Sequence, residues 1–341
     1  MALPSAAPPR RHRAWVKWGR IVVSVALLAV LLTKIDPDEL IPPDRSLPGT
    51  LAFACSGAAL MAFSFLVAAW RWQRVLAVYD VHVRLRTLVK HYLAGQFVGN
   101  ALPSTVGGDV LRISRSSKDI GSTEIAFASV ALERLTGFVA LPLLTLLGFA
   151  ILPELLDVRR AWIALAIAFG TLAALGIILW LSAHPRLAGR YVHSESWTRY
   201  IGIVHIGVDR FRRDPRDTGA ALLLSIAYQF TVVAAVYCAV HTIGLTIPNA
   251  AVLAFVPAVA MVQVVPISVG GLGVREGMLA FLLHPLGVPT GQAVAVGLLW
   301  YAMTLVVSLA GAPAFAMGHD APTAPPPSTG SAETHPTASS T

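Results

Sequence analysis

Long apolar runs, each about as long as a membrane-crossing helix, dominate the pattern of hydrophobic and polar positions. A helix needs roughly 20 apolar residues to cross a bilayer. The pattern predicts six spans, at about 16–33, 48–70, 124–152, 161–182, 218–242 and 291–316. The first has the shortest apolar core, because Lys17 and Arg20 lie inside it. The fold class predicted is an all-α polytopic membrane protein.

Two further apolar regions, 92–108 and 250–285, are interrupted by proline and paired glycines. Aligned on Pro103 and Pro266, both read P-x-x-V-G-G-x-x-x-R. Proline removes a backbone donor and stops a helix, and glycine permits left-handed dihedrals and close backbone approach. The matched positions are Val106, Gly107, Gly108 and Arg112 in the first copy and Val269, Gly270, Gly271 and Arg275 in the second.

The two copies are interpreted as the tips of re-entrant hairpins, at 90–115 and 250–285. Lipid offers no hydrogen-bond partner, so irregular backbone at membrane depth must be buried in protein or reached by water. We expect a second helix to begin just after the glycines and to point free N–H groups at the tip, which suits an anion. Arg112 and Arg275 would add a full charge, and the forked donors of arginine match phosphate.

Composition and charge agree with a membrane protein and give its orientation. Of the 341 residues, 55% are hydrophobic and 13% are charged, whereas soluble domains carry about a quarter charged residues. Lys and Arg are retained on the cytoplasmic side. Basic residues exceed acidic ones in 1–20, 71–92 and 183–217, but not in 34–47, 153–160 or 243–249. Six crossings then place both termini in the cytoplasm, provided that each hairpin enters and leaves on one face.

Three predicted spans, an odd number, separate the two motifs, so the hairpins are expected to open to opposite sides. Each half reads span, span, hairpin, span, which is an inverted-topology repeat, typical of transporters with a site near the midplane. The predicted organisation is a basic N-terminus at 1–15, a first repeat at 16–152, a second repeat at 153–316 with a basic cytoplasmic loop at 183–217, and a disordered tail at 317–341.

Two adjacent ionisable residues, Glu133 and Arg134, lie inside the third predicted span. Such residues are costly at this depth and are usually functional or paired. Glu133 is open to two interpretations: a structural ion pair with Arg112, or a group that takes up a proton or a cationic headgroup. Asp109 and Glu276 are interpreted as helix-start acids favoured by the helix dipole.

Polar side chains before the tips complete the candidate substrate site. Gln96 and Asn100 precede the first tip and could donate to a headgroup, and Gln263 lies three residues before Pro266. The predicted substrate-binding residues are Gln96, Asn100, Pro103, Gly107, Gly108, Arg112, Glu133, Arg134, Pro266, Gly270, Gly271, Arg275 and Glu276. His82, His91 and His241 have no ligand spacing, so no metal site is predicted.

Two cytoplasmic segments are open to interpretation as surface helices or solvated loops. In "WTRYIGIVHIGVDRFRR" (197–213), apolar residues recur at helical spacing with arginines on the other side. Segment 71–92 is similar but less regular.

Three stretches together resemble the lysylphosphatidylglycerol synthetase transmembrane family over roughly 20–316. They are "HYLAGQFVGNALPSTVGGDVLRISRSSK", "ASVALERLTGF" and "PISVGGLGVREG". The resemblance implies a bacterial inner-membrane protein of inverted repeats with re-entrant hairpins. It also implies movement of aminoacylated phosphatidylglycerol between leaflets, or a role with polyprenyl-linked sugars. The chain ends in a short polar tail where full-length lysyl-lipid enzymes continue into a soluble aminoacyltransferase domain, so no transferase activity is expected.

The expected function is that of a flippase for an anionic or phosphate-bearing envelope lipid, with no catalytic residues and no cofactor. No G-x-x-x-x-G-K-[ST] loop is present, so no nucleotide site is predicted. The alternatives are a membrane-embedded enzyme and an accessory scaffold of envelope lipid or glycan synthesis. Such a scaffold would recruit its partner through the basic cytoplasmic loop. A membrane lipid is the expected partner, a homo-oligomer is left open, and nucleic acid is not expected.

Overall fold

The computed structural model describes residues 47–101, 107–183, 199–264, 268 and 270–316. Within these ranges the chain forms helices joined by short turns, with no β-strand. In chain order the helices are α1 (Leu47–Ala77), α2 (Leu85–Ala101), α3 (Gly107–Ile120), α4 (Thr123–Ile151), α5 (Ala161–Ala183), α6 (Arg199–Arg213), α7 (Pro215–Ile243), α8 (Asn249–Gln263), α9 (Val274–Leu283), α10 (Thr290–Leu309) and α11 (Gly311–Ala316). Short 3₁₀ helices occupy Pro153–Leu156 and His284–Leu286. The predicted N-terminus at 1–15, first span at 16–33 and tail at 317–341 lie outside the described residues.

Five helices, α1, α4, α5, α7 and α10, are long and apolar enough to cross a membrane. They match five of the six predicted spans, with two differences at the ends. Helix α1 continues to Ala77, and the last span stops at Leu309 before the separate helix α11. Trp162, Phe169 and Trp180 on α5 are exposed, as suits a lipid-facing surface. The chain is an all-α, multi-pass membrane protein, as predicted.

Capping residues define where the long helices begin and end. The Ser122 hydroxyl accepts a hydrogen bond from the Ile125 N–H (3.3 Å) at the start of α4. Asp214 accepts from the N–H groups of Arg216 and Asp217 at the start of α7 (3.0 and 3.2 Å). Helix α7 ends at Gly244, whose φ of 97° is the left-handed conformation typical of a C-terminal glycine.

The two P-x-x-V-G-G copies join helix pairs, but their glycines act differently. Helices α2 and α3 pack against each other, as do α8 and α9. In the second copy Gly270 and Gly271 use the left-handed dihedrals that glycine permits (φ of 59° and 77°), and α9 begins after them at Val274, as expected. In the first copy, the expectation that the second helix begins after the glycines is wrong, because Gly107 and Gly108 belong to α3. Gly108 instead serves the predicted close backbone approach, since it packs against Gly95 of α2.

Packing between the helices repeats from one half of the chain to the other. Helix α1 packs along α7, so the second spans of the two predicted repeats contact each other directly. Helix α4 contacts α8, and its counterpart α10 contacts α2. Likewise α3 contacts α4, and α9 contacts α10. Each helix pair therefore lies against the last long helix of the other half as well as that of its own.

Segment 197–213 is helical from Arg199, as one interpretation predicted, and its helix α6 packs on α4. Segment 71–92 fits neither interpretation over its whole length. Its first part continues α1, and Trp72, Val75 and Leu76 there are fully buried. A turn follows, in which the Tyr79 hydroxyl donates to the Ile203 carbonyl on α6 (3.2 Å). Burial raises the pKa of this phenol above its ordinary value, so it stays a donor.

Candidate functional site

Two adjoining cavities, of about 290 and 430 Å³, lie where the two helix pairs meet the long helices. Both are lined by Asn100 from α2, Arg134 from α4 and Gln263 from α8. Arg275 of α9 lines the smaller cavity, and Arg112 of α3 lines the larger. The fold therefore brings side chains from both motifs to one place, although more than 150 positions of sequence separate them.

Glu133 stands between two arginines at the centre of the first half of the site. One carboxylate oxygen accepts from Arg71 of α1, and the other accepts from both terminal nitrogens of Arg112 (3.2 Å each). All three side chains are at most 4% exposed. The pairing of Glu133 with Arg112, one of the two interpretations of the sequence, is present, and Arg71 is a second partner that the sequence did not indicate.

Arg134 pairs with Asp109 at the start of α3 (2.9 Å). Arg112 also approaches Asp109 (3.4 Å), so this helix-start acid serves two arginines. The Arg134 side chain is 51% exposed, in contrast to the buried Arg71 and Arg112. Arg134 is thus the guanidinium in this cluster with room to contact a ligand.

The second half of the site is a smaller pair, Arg275 and Glu276. One Glu276 oxygen accepts from Arg275 Nε (3.1 Å), and the other accepts from the Gly273 N–H (2.6 Å). This second bond caps α9, as predicted for a helix-start acid. Glu276 is fully buried and lines neither cavity, so its role in the site is to position Arg275.

The arginine of each motif also lies over aromatic rings. The Arg112 guanidinium carbon is 4.3 Å from the Trp72 ring centroid and 4.7 Å from that of Tyr92. The Arg275 carbon is 4.9 Å from Tyr301 and 5.5 Å from Trp300. Such contacts stabilise a cation that has left water. They allow two full positive charges to be held inside an apolar bundle.

The described charged side chains of the site do not balance. Four arginines are positive, Arg71, Arg112, Arg134 and Arg275, and three carboxylates are negative, Asp109, Glu133 and Glu276. One positive charge remains uncompensated within this set. An unbalanced charge in an apolar setting is unfavourable, and a bound anion would neutralise it.

Most of the predicted site residues line the cavities. They are Gln96, Asn100, Gly108, Arg112, Glu133, Arg134, Gly270, Gly271 and Arg275. Gly107 lies in α3 without lining either cavity, while Pro103 and Pro266 are outside the described residues. Arg71 and Tyr228 line the smaller cavity and were not predicted. The available signal was the sequence "AAWRWQR", in which Arg71 lies between two tryptophans in an uninterrupted helical pattern.

One protein-family model covers most of the chain. The family model described as the lysylphosphatidylglycerol synthase TM region matches residues 17–311, which include both motifs and every residue of the site. A comparison with functionally curated proteins gives no match. On the family match, the chain belongs to the family of the lysylphosphatidylglycerol synthase transmembrane region.

Proposed function

We propose that this protein moves an anionic or phosphate-bearing envelope lipid between the leaflets of the bacterial inner membrane. The observation that carries the proposal is the pair of adjoining cavities lined by both motifs, with one uncompensated positive charge among the described charged residues around them. A phosphate-bearing headgroup fits such a cavity, because arginine binds phosphate through paired donors. The family match supports a role with envelope lipids.

The route of the lipid follows from two kinds of surface, the polar cavity and the apolar helix faces. The headgroup enters the polar cavity beside Arg134, while the acyl chains stay in the bilayer against apolar helix faces. The charge network around Glu133 holds Arg71 and Arg112 in place and is not consumed. No chemical step is needed, so the protein acts as a carrier rather than an enzyme.

Alternation between the two leaflets requires two halves that can rock against each other. The repeated packing of each helix pair on the last long helix of both halves supports an inverted-topology repeat with re-entrant hairpins. In this arrangement the α2–α3 pair opens to the cytoplasm and the α8–α9 pair opens outward. Both chain termini are cytoplasmic, as the loop charges indicate. A lipid gradient, an ion or the membrane potential supplies the driving force.

Lipid movement is tested with purified protein in vesicles that contain fluorescent phosphatidylglycerol and an external quencher. We expect the protein to expose inner-leaflet label and mass spectrometry to recover that lipid chemically unchanged. Arg134→Gln should slow movement about ten-fold or more, since a hydrogen bond to a charged group contributes about 1.5–3 kcal/mol.

Arg213→Gln is the matched control. Arg213 is 78% exposed on α6, pairs with Asp209 (2.8 Å) and lines neither cavity of the site, so its loss should leave the rate unchanged. The proposal fails if protein-containing vesicles behave like empty ones. The placement of the site fails if the two arginine variants slow movement equally. A chemically altered lipid would instead favour the enzyme alternative.

A further inference from the structure

Several buried polar atoms around the cavities have no hydrogen-bond partner, and those on the lining residues are all donors. They are Arg71 Nε, Asn100 Nδ2, Arg112 Nε, Gln263 Nε2 and Arg275 Nη2. Arg275 Nη2 is 3.0 Å from Glu276 but makes no hydrogen bond with it. Leaving a buried donor without an acceptor is costly. Three of the five atoms belong to guanidiniums, which contain no acceptor in any orientation.

The carboxylates that line the cavities are already held in ion pairs. Both oxygens of Glu133 accept from arginine, Oε1 from Arg71 and Oε2 from Arg112. Asp109 is held by Arg134 and approached by Arg112. A ligand ammonium group would have to displace an arginine from one of these pairs, and it would add to a positive charge that is already in excess. The described part of the site is therefore suited to acceptors and unsuited to cations.

Asn100 and Gln263 hold the same place in the two motifs. Each lies three residues before the motif proline, at Pro103 and Pro266, and at or beside the last residue of its helix, α2 or α8. Each lines both cavities and has a buried side-chain nitrogen without a partner. Two amides at equivalent positions, one from each half, are well placed to contact one headgroup from two sides.

We propose that the site selects a headgroup that carries a phosphate and further oxygen acceptors but no amino group, and that Asn100 and Gln263 are paired recognition residues for it. This rests on the proposed function and narrows its substrate to anionic lipids whose headgroup carries no amino group, for which phosphatidylglycerol is the probe. Aminoacylated and ethanolamine lipids are excluded as preferred substrates, because their ammonium groups find no free carboxylate among the described residues that line the cavities.

Headgroup preference is measured as binding, separately from movement between leaflets. The full-length protein in detergent is titrated with three lipids of identical acyl chains: phosphatidylglycerol, phosphatidylethanolamine and the lysyl ester of phosphatidylglycerol. The readout is the shift of the thermal unfolding midpoint, which reports apparent affinity. We expect phosphatidylglycerol to bind at least about ten-fold more tightly than either amino lipid.

Asn100→Leu and Gln263→Met replace each amide by an apolar side chain of similar shape. Because neither nitrogen has a partner, their removal should leave the lipid-free unfolding midpoint unchanged or raise it. Each should weaken phosphatidylglycerol binding about five-fold. The matched control is Gln73→Met. Gln73 Nε2 donates to the Val83 carbonyl (2.9 Å) outside the cavities, so this change should lower the midpoint and leave lipid binding intact.

The outcomes separate the two proposals. Binding of an amino lipid as tightly as phosphatidylglycerol overturns the headgroup inference, while the proposed movement of lipid still stands or falls in vesicles. Amide variants that lower the lipid-free midpoint as Gln73→Met does, with unchanged lipid binding, overturn the role of Asn100 and Gln263. Failure of all three lipids to bind, together with no movement in vesicles, overturns both proposals.

Discussion

At the scale of single residues, the site is held together by charges buried in an apolar bundle. Glu133 is 1% exposed and neutralises Arg71 and Arg112, which are almost as buried. Removing one member of such a group leaves another buried charge without compensation. The network is therefore a structural requirement that fixes Arg112 and leaves the more exposed Arg134 available to a ligand.

Glu133→Gln should destabilise the protein by about 3–5 kcal/mol, because two buried guanidiniums lose their shared counter-charge. Adding Arg71→Met restores the net charge of the cluster, so the double variant should be more stable than the sum of the single changes predicts, by about 0.5–3 kcal/mol. Unfolding in detergent measures the change in the free energy of unfolding for each single variant and for the double variant. Glu154→Gln, an exposed carboxylate on the first 3₁₀ helix, serves as the control. Strict additivity would show that Arg71 and Glu133 do not form the pair described.

At the scale of helices, close backbone contact keeps the α2–α3 pair together. A Cβ atom added at Gly108 would lie 2.4 Å from the Gly95 carbonyl oxygen, and one added at Gly95 would lie 2.6 Å from the Arg112 side chain. These two glycines let the helices approach and leave room for the arginine between them. The geometry of the first half of the site depends on this contact.

Gly108→Ala should therefore separate α2 from α3 and destabilise the protein by about 1–3 kcal/mol or more, since backbone cannot yield as a side chain can. Gly176→Ala on α5 is the matched control, because a methyl group there meets open space within a helix. It should be neutral or slightly stabilising. Equal thermal unfolding midpoints for the two variants would contradict the close contact.

The sequence predicts most of the helices but not which helix faces meet. Five spans follow directly from runs of apolar residues, and the interruptions at the two motifs follow from proline and glycine chemistry. The sequence alone does not show that Gly108 packs within a helix whereas Gly271 lies in a turn. The role of Gly108 depends on its contact with Gly95 of a neighbouring helix. Arg71 was placed outside the membrane because a predicted span end is uncertain by several residues, and here the helix continues.

At the scale of the whole molecule, the proposed function requires two helix pairs that reach the two adjoining cavities from opposite faces of the membrane. The repeated packing of α4 on α8 and α10 on α2 is what such a repeat produces. The proposed orientation would put both ends of each pair on one side of the membrane. Asp80 and Lys118 flank the first pair, and Thr246 and His284 flank the second. If either pair crossed the membrane, its two flanks would lie on different sides.

Labelling of single cysteines on intact cells with a membrane-impermeant maleimide tests this claim most directly. The background carries Cys55→Ala and Cys238→Ala, and the reporters are Asp80→Cys, Lys118→Cys, Thr246→Cys and His284→Cys, all at exposed positions. We expect the Thr246 and His284 reporters to react on intact cells and the Asp80 and Lys118 reporters to react only after permeabilisation. Labelling of one member of a pair without the other, or of all four from the same side, would contradict it.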